Sequence, residues 1–554
     1  MGNIGFISHQ WLGTGHPDPE AKQMRIFQEA LKAAKDDSKM KSISPDIVSE
    51  INNPSIKPFP TARLFSEPLF FWYDYFSIPQ KVEDSCHQLD AINSIPAYVD
   101  KCSFFFALVP VLETPSSMAL LSPLTWQGRG WCRLEKTARE LSHDPSWIMV
   151  KSARDLQFVS DALASARAGS GPVGEGAFTV QEDCLKLRPV LMTVLKRKLI
   201  RLLKSRDFAG YRALLNQQTT ILSGMGPDLE PILEIESSDD QHEDLSATST
   251  FLHRNGFATV RTKDAAGWLP IHYAALVGDP SLVRDLLALE ADPNQDTKKA
   301  HPNLGFEAGT PPLSIACYFK KNEVVKLLLS VRATFDSRGP IHYPLNAAAA
   351  VNNAEAVQML CEAGCSPLQK NALGHTCIET AASWGLGLEA MEELLRQVRI
   401  LGALDEIDPT PSLHLAAISW GGAEVVQRLV AMRADVNAQT ADEPAKRTLL
   451  MRTMYTVVLW QHKFYKVTAA SKFLYHARGG TPLMMALVTG NYEFAAALIA
   501  AGAQLNPRNA RGCCIADLVP KHSAPDFIVE ALEGRVEACR RVSELACGWI
   551  SMAF

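Results

Sequence analysis

The apolar positions change their period partway along the chain. From Met1 to about residue 205 they fall in short unbroken runs. Ile4–His9, Leu69–Asp74, Ser103–Val109 and Trp147–Val150 are each bounded by polar or turn residues, the pattern of buried strands. Between them, Ala21–Lys35, His87–Val99 and Trp131–Leu141 carry apolar residues at helical spacing. Strands alternating with helices predict a parallel sheet with helices on both faces. Ligands of such sheets collect at the carboxyl ends of the strands. The polar residues there are Ser8 and His9 after the first strand and Asp74 after the second. Trp131-Cys132-Arg133-Leu134-Glu135 opens the helix after the third.

Beyond about residue 263 the period is helical and punctuated. One short turn recurs: Leu269-Pro270-Ile271-His272-Tyr273-Ala274-Ala275, Pro311-Pro312-Leu313-Ser314-Ile315-Ala316, Tyr343-Pro344-Leu345-Asn346-Ala347-Ala348 and Thr376-Cys377-Ile378-Glu379-Thr380-Ala381-Ala382. It returns at Pro411–Ala417 and Thr481–Ala486, and in worn form at Cys513–Ala516. The apolar anchors Ile271, Leu313, Leu345, Ile378, Leu413, Leu483 and Ile515 are spaced 42, 32, 33, 35, 70 and 32 residues apart. Proline suits a helix start because the donor it lacks has no partner there anyway. A period of about 33 residues opening on T-P-L-H-x-A resembles the ankyrin repeat, which implies a C-terminal all-α solenoid of paired helices. The 42-residue gap reads as one repeat with a loop insertion at Gln295–Gly309, the 70-residue gap as two periods. The middle of that longer gap, Arg447–His476, lacks the turn and reads either as a degenerate repeat or as an inserted helical pair. From Pro525 an amphipathic stretch to Leu545 reads as a terminal cap.

At 554 residues the chain exceeds one hydrophobic core. The division read from the pattern is 1–205, an acidic linker 206–262, and the array 263–554. Leu185–Arg206 is a basic amphipathic helix, read as the closing helix of the first domain with a solvated basic face; calmodulin or an acidic lipid surface are the alternatives. Asp228–Asp244 carries no Lys or Arg. A net charge of −5 gives no reason to expect nucleic acid or a membrane surface. Twelve scattered Cys, without metal spacing, suit a reducing cytoplasmic location. No metal and no required cofactor are expected. No apolar run approaches the ~20 residues of a membrane span. The start has Phe6 where a myristoylation signal wants Ser or Thr. It enters a strand at once, so an upstream extension is an expectation.

The first domain resembles TIR and TIR-like domains, of flavodoxin-like parallel-sheet architecture. Phe6-Ile7-Ser8, Asp74 and Trp131-Cys132-x-x-Glu135 stand where that family carries F-x-S on its first strand, an Asp ending its second, and W-C-x-x-E opening a helix after its third. His9-Gln10-Trp11, the loop Gly13–Pro19 and Phe76–Gln80 depart from it. The resemblance implies Glu135 as the catalytic residue of an NAD-cleaving enzyme, NAD being a substrate. A carboxylate near the anomeric carbon stabilises the oxocarbenium-like cation of such a cleavage. Trp131 or Trp11 would stack on a base, and Ser8 or Arg133 would hold ribose or phosphate oxygens, beside His9 and Asp74. The same residues have a structural reading. Glu135 is then a first-turn acid favoured by the helix dipole, Trp131 and Cys132 are core, and His9 and Asp74 are loop hydrogen-bonding groups.

Two functions follow. One is a protein-binding scaffold or signalling adaptor. Its partner would sit on the concave face of the array, chosen by Trp268, Tyr273, Trp384 and Trp420, with self-association through the TIR-like domain. The other is a regulated NAD glycohydrolase using Glu135. A glycine-loop nucleotide enzyme is disfavoured, because Pro172 interrupts Gly169-x-Gly171-x-x-Gly174 and no strand leads into it.

Overall fold

A computed structural model of the chain describes residues 2–12, 15–38, 40–52, 56–78, 85–114, 119–159, 171–180, 182–226, 246–301, 303–335, 343–385, 387–419, 421–440, 449–464, 467–519 and 524–553. The acidic stretch Asp228–Asp244, Gly169–Ser170, Trp420 and Arg447–Thr448 lie outside the described residues. The chain forms two compact units, Met1–Val190 with Pro409–Phe554, and Leu191–Asp408.

In the first unit, β1 (Asn3–Ser8), β2 (Leu69–Tyr73), β3 (Phe104–Leu108), β4 (Trp147–Val150) and β5 (Leu156–Val159) form one sheet in the order β2-β1-β3-β4-β5. The first four are mutually parallel, as their unbroken apolar runs predict; β5 is antiparallel to β4. The sequence reading missed β5, a four-residue strand joined to β4 by the tight Lys151–Asp155 connection. Ile7, Phe27, Phe106, Ile148 and Val150 are part of the core beneath the sheet. The expected helix His87–Val99 is two helices, Ser85–Asn93 and Ile95–Lys101, with Pro96 at the start of the second.

The same unit holds the repeat pairs Thr410–Ala416 with Ala423–Ala431 and Pro482–Thr489 with Tyr492–Ala500. Between them, Leu449–Phe464 and Ala469–Ala477 are a helical pair. The single expected cap is two helices, Asp526–Leu532 and Glu537–Ala553, divided at Gly534, whose φ is 92°. The second of them packs on Tyr492–Ala500.

The last repeat and the helical pair before it are fastened to the first domain by polar bonds. Lys151 Nζ donates to the Gly490 carbonyl at 3.3 Å, and Gln157 Nε2 to that of Thr489 at 3.2 Å. Tyr492 Oη donates to Asp155 Oδ2 at 2.9 Å, and the Ala470 amide to Glu50 Oε2 at 3.0 Å. Gly490 sits at φ 71°, and a Cβ there would lie 2.4 Å from Asp155 Oδ2. A left-handed glycine therefore both ends the repeat helix and lets the sheet edge approach.

The second unit stacks Pro270–Val277 with Pro280–Ala288, Pro312–Tyr318 with Asn322–Ser330, Pro344–Ala350 with Ala354–Glu362, and Cys377–Trp384 with Glu389–Ile400. Residues 206–262, read from sequence as linker, contain the helices Phe208–Ile221 and Ala247–Arg254. They pack on the two helices of the next pair. Thr219 Oγ1 donates to the Val277 carbonyl at 3.0 Å and Thr248 Oγ1 to Asp285 Oδ2 at 3.1 Å. This pair covers the first repeat without using the repeat's turn, so no periodic signal marks it.

Candidate functional site

The carboxyl end of β1 meets the start of the helix Gly130–Glu140. Ser8 ends β1 fully buried. Its hydroxyl accepts from Trp126 Nε1 at 3.0 Å and lies beside the Glu135 carboxyl, whose charged form it favours. Glu135 is 8% exposed, and its Oε2 has no hydrogen-bond partner among the described residues. Burial, reinforced by the nearby charge of Asp74, pushes its pKa up to about 8. At neutral pH the carboxyl is therefore mostly protonated.

Asp74 follows β2. His9 Nε2 contacts its Oδ1 at 2.8 Å, Trp11 Nε1 donates to Oδ2 at 2.9 Å, and the Tyr75 amide donates to Oδ1 at 2.6 Å. Burial alone would raise the Asp74 carboxyl, but these bonds hold it below the usual carboxylate range. His9 also stacks on Tyr73, ring centroids 4.4 Å apart. Two carboxyls that interact electrostatically thus have opposite environments, one saturated with donors and one buried with a single hydroxyl.

Ser8, His9, Trp11, Asp74 and Glu135 come together here. Trp131 and Arg133 are engaged elsewhere. Arg133 donates to the carbonyls of Gln127 at 2.7 Å and Pro172 at 2.9 Å, and Trp131 meets Phe178 edge-on. Arg133 is thus occupied in tying its helix to the loop at Pro172, not held open for a phosphate. Sequence reasoning missed Trp126, which fixes the Ser8 hydroxyl. Its position in the chain, 118 residues from Ser8, carries no local signal.

A cavity of about 40 Å³ lies apart from this cluster, lined by Asp46, Val48, Lys151, Gln157, Tyr492 and Glu493 among others. It has room for a few waters. Among the described residues no group of three or more His, Cys, Asp or Glu is arranged to hold a metal ion. None of the helices there is long and apolar enough to cross a membrane.

In the repeats, Trp268 and Tyr273 are fully buried, which corrects the expectation that they face a partner. The insertion folds back over them: Phe306 and His301 pack on Trp268, and the Thr297 amide closes the loop on the Thr310 carbonyl at 3.1 Å. Tyr273 Oη donates to Asp264 Oδ2 at 2.7 Å. Trp384 is half-buried. His272 joins successive turns, its Nδ1 accepting from the Leu269 amide at 3.0 Å and its Nε2 meeting the Gln295 carbonyl at 2.7 Å. His414 repeats the second contact with the Ala438 carbonyl at 3.0 Å.

Family models place ankyrin repeats in the C-terminal half. Residues 271–371 match a family model described as ankyrin repeats in three copies, and residues 412–441 match one described as an ankyrin repeat. The chain is 31% identical over 113 residues to "Ankyrin repeat and SOCS box protein 11" of Pongo abelii and of Homo sapiens, covering 20% of this chain. The match spans 32%, about a third, of the length of those curated relatives. The crystal structure of the human ASB11 ankyrin repeat domain aligns at 21% identity with a TM-score of 0.33, covering 48% of this chain and 98% of that one. The chain therefore carries ankyrin repeats within a C-terminal helical solenoid, behind an N-terminal domain built on a mainly parallel sheet.

Proposed function

We propose that this chain is a cytoplasmic protein-binding scaffold or signalling adaptor. Its repeats offer a preformed surface to a protein partner, and its N-terminal domain is a TIR-like interaction module. The carrying observation is the run of ankyrin helix pairs whose turn residues are largely buried, which leaves a preformed surface suited to recognition. Support for the TIR-like reading comes from the strand order β2-β1-β3-β4, the doubly-wound order with a switch point beside β1. It also comes from Ser8, Asp74 and Glu135 meeting at the carboxyl edge. The test is cross-linked capture from cytosol by the full chain, with the linkages mapped by mass spectrometry. Linkages within residues 263–440 are expected; a partner linked only to residues 1–150 overturns the assignment to the repeats.

A second reading, NAD glycohydrolase, is favoured by one specific observation: the buried Glu135 Oε2 lacks a partner. In that reading the ionised carboxylate stabilises the ribosyl cation while Ser8 orients it. Because the carboxyl loses its proton only near pH 8, turnover would rise with pH through that value. The assay uses the full chain, since residues 1–190 share a compact unit with the last repeats.

A further inference from the structure

The helix Leu449–Phe464 belongs to the insertion between two repeats, and the function above makes no use of it. Its inner side is anchored. His462 Nδ1 meets Ser471 Oγ at 3.0 Å, and the His462 ring stacks on Tyr475 with centroids 4.3 Å apart. Val458 and Leu459 are half-buried. The outward side of a surface helix is ordinarily polar. Here Val457 is 56% exposed, Trp460 55% and Phe464 61%, and Val467 just beyond the helix is 55% exposed. The spacing of three and four residues puts Val457, Trp460 and Phe464 in one line along the helix. Arg452 and Lys463 are exposed on the same helix, with Lys463 Nζ 5.3 Å from the centroid of the Phe464 ring.

The chain segment that carries this line is basic in sequence, while Glu50 of the first domain meets the Ala470 amide at the start of the neighbouring helix. From Pro444 to Tyr492 the sequence holds Lys446, Arg447, Arg452, Lys463, Lys466, Lys472 and Arg478 and not one Asp or Glu. The chain as a whole carries −5, so this block opposes the average. An aromatic and aliphatic line flanked by cations fits a flat, anionic, partly apolar surface. Val, Trp and Phe side chains enter the headgroup boundary there while Lys and Arg reach the phosphates.

We propose that this helix face docks peripherally on an anionic lipid surface. A bilayer accommodates the line of Val457, Trp460 and Phe464 along its whole length. An acidic protein would satisfy the cations and leave those rings uncovered. The inference is independent of any chemistry at Glu135.

The test is co-sedimentation of the full chain with vesicles of phosphatidylcholine alone and of phosphatidylcholine with phosphatidylserine, at low and at physiological salt. Binding to the phosphatidylserine vesicles only, weakened by salt, is expected. The double variant Trp460→Ser/Phe464→Ser should bind about tenfold less or weaker still, as should Arg452→Glu/Lys463→Glu. Thermal unfolding of both variants should match wild type, since the replaced side chains are exposed. Failure of wild type to bind either vesicle, or undiminished binding by the variants, overturns the proposal. So does retention on immobilised polyglutamate without vesicle binding, which would identify an acidic protein partner instead.

Discussion

In the turn around His272 both ring nitrogens have backbone partners, while at the sheet edge one oxygen of Glu135 has none among the described residues. Both groups are buried, and burial drives both toward their neutral forms: the imidazole falls to about 4 and the carboxyl climbs to about 8. The histidine uses its neutral form as a joint, accepting on one side and donating on the other. The carboxyl lies beside the Ser8 hydroxyl that Trp126 holds, and its Oε2 is an unmet acceptor. A fully bonded polar group is a structural part; an incompletely bonded one is where a binding or catalytic role is worth testing.

The largest test of this contrast is Trp268→Ala. If Trp268 is core beneath the insertion loop, truncation costs about 3–5 kcal/mol in denaturant unfolding. A surface tryptophan reading a partner would change stability by less than about 0.5 kcal/mol.

Next is acid. His272 binds its proton more weakly folded than unfolded, where the ordinary value is 6.5. Its contribution is fully present above that value and is lost as pH falls toward about 4. His301, also lowered to about 4 by burial, adds in the same direction. Stability should fall by about 3 kcal/mol per fully buried histidine across that window. His272→Gln should flatten the pH dependence measured by urea unfolding at fixed pH steps.

Glu135 has the opposite sign. Its folded form holds the proton from the ordinary 4.5 up to about 8, so stability declines as pH rises through that interval. Glu135→Gln removes the titration and should stabilise the protein by about 3.5 kcal/mol at pH 8 relative to its effect at pH 5. An unchanged pH slope would mean that the carboxyl is solvated and ordinary.

The legible parts of the molecule were those with a period. The repeat turns fixed seven helix starts, and the unbroken apolar runs fixed four parallel strands. What lacked a period was missed. Phe208–Ile221 and Ala247–Arg254 cover the array without its turn. The bonds from Lys151, Asp155 and Gln157 to the Thr489–Tyr492 turn link residues more than 300 positions apart, and each of those residues looks ordinary in its own segment. At the site, Ser8, Asp74 and Glu135 were legible because they follow strands or open a helix. Trp126 was not. Trp268 and Tyr273 were misread as surface because their cover, Phe306 and His301, comes from an insertion with no periodic signal.

On this reading function resides in recognition by the repeats, and Glu135 is a neutral, buried carboxyl beside the ionised Asp74 at the carboxyl edge of the sheet. Nicotinamide release from NAD by the full chain, compared with Glu135→Gln at pH 7 and at pH 9, tests it most directly. No release above the protein-free blank is expected at either pH, with both proteins alike. Release by wild type that increases toward pH 9 and disappears in Glu135→Gln would contradict it.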